Sequence, residues 1–310
     1  MKNPIPMLCC TYLIFGGRAV KRNTSRIILS LVIVLLVSAG LFAQTTTSGT
    51  LKFTGAWDGK KGIEAKAEAA YQVKIPMLVG EGPLMSGNNL KLKTQIGVSP
   101  IAASATLDAV LTPIAVLEIS LGGGAGTGWD FSLMDLAGLK IASGGIGFPL
   151  SSDQLAGTYY MGRAGAAFQF DTGAILKGDW TSVVIRAYQE LNYKGYTGAT
   201  DNTTAWEFEN GGAMVNGFNY KGEYILGYQM PLIVNLVGVQ LETYGYNVFN
   251  SARTGLFSDL SILANTQINE NLSLLTAVQF TNYEKTDYRE IVKKAEPAFK
   301  RVAMILSYGY

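Results

Sequence analysis

Ile63-Glu-Ala-Lys-Ala-Glu-Ala-Ala-Tyr-Gln-Val-Lys-Ile75 sets Glu64, Lys66, Glu68, Gln72 and Lys74 on one parity and Ala65, Ala67, Ala69, Tyr71, Val73 and Ile75 on the other. A strand sends successive side chains to opposite faces, whereas a 3.6-residue repeat would scatter these two sets around a helix. The stretch is therefore a strand with one polar and one apolar face. The same device recurs outward from it. Leu90 to Ser99 opposes Lys91, Lys93 and Gln95 to Leu90, Leu92, Ile96 and Val98, and Ile101 to Thr112 opposes Asp108 to Leu107, Ala109 and Leu111. Ile114 to Gly126 carries Glu118; Tyr159 to Phe170 carries Arg163; Trp180 to Tyr193 carries Arg186 and Glu190. Phe218 to Met230 carries Lys221 and Glu223, and Asn235 to Asn247 carries Glu242. With Leu51 to Trp57, Leu256 to Ile268, Leu272 to Tyr283 and Arg301 to Tyr310, twelve strands of about ten residues are expected, the length a tilted strand needs to cross a hydrocarbon core.

Composition narrows the chemistry. The 310 residues include 36 glycines, two cysteines and no histidine, with 15% charged side chains. Histidine is the commonest general base near neutral pH and the commonest metal ligand, so most hydrolase and metalloenzyme mechanisms lack their central residue. From Lys21 the chain runs Lys-Arg-Asn-Thr-Ser-Arg, then Ile27 to Val37, then Ser38 to Ala43: a basic end, an apolar core and small residues, the order of a secretory signal peptide. Residues 1–43 are read as that leader, cut after Ala43, with translation starting near Val20; residues 44–310 are read as the barrel. Cleavage removes Cys9 and Cys10 and leaves 20 basic against 23 acidic side chains, with no nucleic-acid footprint.

Short motifs fail on inspection. Gly122 to Gly128 (GGGAGTG) has no G-x-G-x-x-G register, and Gly173 to Gly178 is followed by Asp179-Trp180 where a phosphate loop needs Lys-Ser/Thr. Glu64 and Glu68 flank Lys66 on one face, which suits a salt-linked wall better than an acid/base pair. No enzyme, cofactor or metal is expected.

In a soluble sandwich the apolar faces meet inside; in a transmembrane barrel they face lipid and the sheet closes on itself. The apolar parity stays free of charge along every strand, as lipid-facing sites require. Aromatic pairs such as Tyr159-Tyr160 and Tyr308 with Tyr310 fall near strand ends, where an interfacial girdle belongs. At the carboxyl end Val302, Met304, Leu306, Tyr308 and Tyr310 are apolar or aromatic at every second position. This resembles the terminal strand of bacterial outer-membrane β-barrel proteins, porin-like in type. The resemblance implies an all-β, closed antiparallel barrel in the outer membrane, in contact with its lipids, and recognition of that last strand by the barrel-assembly machinery. Barrel enzymes of the same membrane resemble the chain in architecture but depend on an active-site histidine.

The expected lumen lining is Glu64, Lys66, Glu68, Lys91, Lys93, Asp108, Glu118, Arg163, Arg186, Glu190, Lys221, Glu223, Glu242 and Arg301, with Lys74, Lys194, Asp171 and Asp259 on the same faces. The signs balance. Such a wall fits a passive or weakly selective channel for small polar solutes, or a salt-bridged interior that closes the barrel. Two alternatives are a structural or surface-interaction barrel that binds a partner through its outward loops, and a transporter of an apolar ligand such as a fatty acid entering at the apolar loop Phe131 to Ser152. Outward connections are expected at Thr127 to Thr158, Lys194 to Gly217 and Glu284 to Lys300, and short turns at the end that carries both termini.

Overall fold

In the computed structural model, residues 45–310 are described, apart from 60–61, 251–254 and 287–289. The leader, both cysteines, Val20 and the cut after Ala43 lie outside the described residues. Twelve strands form one closed antiparallel barrel. They are β1 (Thr46–Trp57), β2 (Ile63–Pro76), β3 (Asn89–Val98), β4 (Ala102–Ile114), β5 (Leu117–Gly128), β6 (Tyr159–Asp171), β7 (Val183–Tyr196), β8 (Gly217–Gln229), β9 (Val234–Gly245), β10 (Phe257–Gln267), β11 (Leu272–Lys285) and β12 (Ile291–Gly309). Each strand pairs with its chain neighbours, and β12 closes on β1, with Thr50 opposite Gly309 and Trp57 opposite Val302. Gly49 and Tyr310 exchange backbone hydrogen bonds of 2.9 and 3.0 Å, carrying the seam to the last residue. In lipid every unpaired backbone group costs several kcal/mol, so a wall with no open edge is the arrangement that strands can adopt there. No helix among the described residues is long and apolar enough to cross a membrane.

Polarity is inverted relative to a soluble sheet protein. Leu121 (67% exposed), Ile96 (60%) and Leu107 (60%) point outward, as do Phe53, Phe168, Leu226, Val239, Ile262, Met304 and Leu306. The alternate residues point into the bore. At the distal rim, away from the termini, Tyr160, Tyr193, Phe218 and Phe249 form a run of ring contacts, with centroids 5.1 to 6.2 Å apart.

Four sequence expectations are corrected. The last strand starts at Ile291 and not at Arg301, so the connection placed at Glu284 to Lys300 shrinks to residues 286–290. At 19 residues β12 is longer than a bilayer requires, and its extra length projects beyond the lipid, where neither face must be apolar. A bulge accompanies the extension: Gln279 pairs with Arg301 but Phe280 pairs with Phe299, which leaves Lys300 unpaired. The first strand starts at Thr46 instead of Leu51. Trp180 to Ser182 lie in a turn, and Tyr159 faces inward while Tyr160 alone joins the girdle.

Candidate functional site

Two long loops at the distal end, residues 129–158 and 197–216, fold together. Leu139–Ala142 pairs on one side with Leu150–Ser152 and on the other with Trp206–Phe208, a three-stranded sheet drawn from both loops. Leu139, Tyr196 and Trp206 are fully buried beside Ala199 and Met214, and a second cluster joins Ala142, Ala205 and Val215 to Ile146 and Leu150. The apolar composition of Phe131 to Ser152 thus has a packing cause, although Leu133 and Phe148 remain exposed. Asn216 holds the core together: its Oδ1 accepts from Trp206 Nε1 at 2.9 Å and from the Tyr196 backbone N–H at 2.8 Å.

The second loop ends in a hairpin whose tip crosses the mouth. Glu209 and Asn210 both have left-handed backbone, φ 48° and 56°, and Gly211 N–H closes the turn on Phe208 at 2.9 Å. This turn aims Glu209 at Lys66 Nζ, 3.1 Å away on β2, while the Asn210 carbonyl accepts from Lys285 on β11. β2 stands six places round the ring of twelve from β8, the strand that follows the loop. The tether therefore spans the bore. Phe208, just behind the tip, stacks on Tyr159 at 4.6 Å. It lies against Gly126, where a Cβ would approach its ring to 3.0 Å.

Below the tip the inner wall is an ion-pair ladder. Lys91 meets Glu118 at 2.7 Å, Glu118 lies 3.9 Å from Arg186, and Arg186 meets Glu223 at 2.6 Å. Glu223 lies 3.8 Å from Lys221, which meets Glu242 at 3.2 Å. Arg163 holds both oxygens of Asp108 at 2.7 and 2.5 Å, reaching over β5 at Gly122, where any Cβ would collide with Asp108. The glycine run that mimics a phosphate loop is bare wall that lets neighbouring strands join above it.

The charged residues expected in the lining stand on the strand parity opposite the exposed apolar residues. Glu64 pairs with Arg301, which also donates to Gln279; Glu68 accepts from Gln95 at 2.9 Å and lies 3.8 Å from Lys66. Glu190 accepts from Tyr188 and Asn192, both at 2.8 Å. Lys93 lines the same cavity as Lys91 and Arg163 without an ion-pair partner among the described residues. Sequence reasoning missed several charged groups, among them Lys52, opposite Glu68 on the inward parity of β1. Lys300, turned inward by the bulge, meets buried Asp259 at 2.5 Å and Tyr283 Oη at 2.9 Å. Glu209 carries no periodic signal; the clue was the Glu-Asn-Gly-Gly turn at 209–212.

The interior is not close-packed. Lys91, Arg186 and Lys221 keep 24%, 29% and 33% of their side-chain surface exposed, although they face inward. A cavity of about 250 Å³ adjoins these groups and Arg163, and a separate one of about 260 Å³ lies at the rim beside the Glu209 tip.

A closed wall with lipid-compatible side chains outside and ionic ones inside defines a transmembrane barrel, and this is the architecture of bacterial outer-membrane proteins. No family model and no curated protein matches the sequence. Among solved structures the chain is similar to the NanC porin, with 7% identity and a TM-score of 0.42, over 83% of this chain and 97% of that one. It is also similar to OmpF of Salmonella typhi in complex with daunomycin, with 11% identity and a TM-score of 0.34, over 86% and 97%. A third is the translocator domain of the autotransporter NalP from Neisseria meningitidis, with 10% identity and a TM-score of 0.39, over 94% and 97%.

Proposed function

We propose that the protein is a passive, weakly selective channel for small polar solutes, narrowed at its distal mouth by the loop of residues 197–216, and that it catalyses no reaction. The observation that carries this reading is the solvent exposure of paired charges inside the bore. A close-packed salt-bridged plug would hide them, whereas these side chains border open space in two separate cavities, one beside the Glu209 tip and one around the Lys91–Glu118 pair. The near balance of sign makes for weak ion preference overall. In the same reading, export follows cleavage after Ala43, and the alternating strand that ends at Tyr310 serves the assembly machinery.

Planar-bilayer recording on refolded full-length barrel tests the proposal. Small, ohmic conductance steps are expected, and removal of residues 207–212 is expected to enlarge them. A barrel that is folded by circular dichroism and heat-modifiable migration, yet gives no steps with or without that hairpin, would overturn the channel reading.

A further inference from the structure

The ladder leaves some lysines out. Lys52 on β1, Lys74 on β2, Lys93 on β3 and Lys194 on β7 belong to inward-facing parities, and among the described residues none of their ammonium groups has a hydrogen bond or a carboxylate within ion-pair distance. Lys74 stands directly across from Lys91 in the β2–β3 register, and Lys93 is the next inward residue on β3, opposite Gln72. Like charges placed directly across a strand pair repel, an arrangement that needs a compensating charge.

The wall does not supply enough. Lys91 has Glu118, but that carboxylate also lies 3.9 Å from Arg186. Asp108 is across from Lys93, yet both of its oxygens are taken by Arg163. Lys91 and Lys93, with the Gln72 amide, thus line a cavity of about 250 Å³ whose wall carries five cationic side chains (Lys91, Lys93, Arg163, Arg186, Lys221) against three carboxylates (Asp108, Glu118, Glu190), and Lys74 stands next to it, across the strand pair from Lys91. Since a water takes about 30 Å³ of liquid volume, the cavity has room for a small anion and part of its hydration shell.

We infer that Lys91 and Lys93, with Gln72 on the same cavity and Lys74 adding charge from across the strand pair, form a binding site for a phosphate-type dianion, either free phosphate or the phosphate group of a small monoester. The site rests on the wet lumen of the channel reading but not on conduction. It gives an otherwise sign-balanced bore a local preference for doubly charged anions.

The test is titration of full-length barrel in detergent micelles with inorganic phosphate at low ionic strength, read by calorimetry. Saturable binding is expected, weakened at least tenfold in the Lys74→Gln/Lys93→Gln double variant. Lys194→Gln removes an unpaired lysine from β7 and is expected to change affinity less than twofold. Displacement by glycerol phosphate at lower concentration than inorganic phosphate would assign the site to monoesters, and the reverse order to the free ion. Absence of saturable binding in the unmodified protein, or equal weakening by Lys194→Gln, would overturn the site, the latter by reducing it to bulk lumen charge. A barrel that binds phosphate but passes no current would break the channel reading and keep the site; one that conducts without binding would do the opposite.

Discussion

The two ends of the barrel are finished by different physics. At the end that carries the termini, connections close through local polar contacts: Asn269 Oδ1 accepts from the N–H groups of Asn271 and Leu272 at 3.0 and 2.9 Å, and Asp171 accepts from Gly173 N–H and the Ser182 hydroxyl at 2.8 and 2.7 Å. Even the longer connection at 77–88 is held by Asn88, whose amide donates to the Leu78 carbonyl at 2.8 Å and the Pro113 carbonyl at 2.5 Å. At the distal end two loops bury a hydrophobic core of their own around Trp206. Turn chemistry sets strand register and needs few residues. Reaching across a bore needs a scaffold stiff enough to hold one carboxylate opposite one lysine.

The contrast is broken or sharpened most strongly at Trp206. Trp206→Ala removes a fully buried ring at an expected local cost of about 3 to 5 kcal/mol. Residues 129–158 and 197–216 should become sensitive to added protease and conductance should rise several-fold, with heat-modifiable migration unchanged. Asn269→Ala, the matched change at the other end, removes two turn hydrogen bonds at about 1 kcal/mol each and should lower unfolding stability while leaving conductance alone. If the two variants behaved alike, the loops would have no scaffold of their own.

A smaller effect is expected at the tether. Glu209→Gln keeps the shape of the tip and loses the charge on Lys66; since both side chains are partly exposed, the pair contributes about 1 kcal/mol or less. Single-channel records should show more frequent excursions to a larger open level and no loss of folded protein. The smallest effect concerns pH. Asp201 accepts from the N–H groups of Thr204 and Thr203 at 2.6 and 2.8 Å, and from their hydroxyls, which pulls its carboxyl down to about 2. Its contribution to the loop is complete above the unfolded value of about 3.9 and is lost as pH falls through about 2. Hydrogen exchange at the amides of residues 203–204 should stay slow to pH 3 and quicken below it; quickening already near pH 5 would remove Asp201 from the loop's support.

Alternation is a local property, and where lipid enforces it the strands were legible. Ile63 to Ile75 and the run from Val302 to Tyr310 can each be read from thirteen residues or fewer. Ile291 to Lys300 could not, because Lys293, Lys294, Glu296 and Pro297 stand on a part of β12 where neither face has to be apolar. The inner charges were legible one at a time, as residues on the polar parity. Their pairing was not, because Lys91, Glu118 and Arg186 meet only once non-adjacent strands are brought side by side. Nothing in the spacing of Glu209 connects it to Lys66, 143 residues away in the chain.

The bare inner face of β5 at Gly122, Gly124 and Gly126 has one more consequence. Along that stave the clearance of the passage is governed by absent atoms, and each position abuts a different neighbour: Asp108, Thr106 and Phe208 in turn. A single carbon added at any of the three would lie under 3.0 Å from a backbone carbonyl of β4, so the passage keeps its calibre at these depths only while the positions stay glycine.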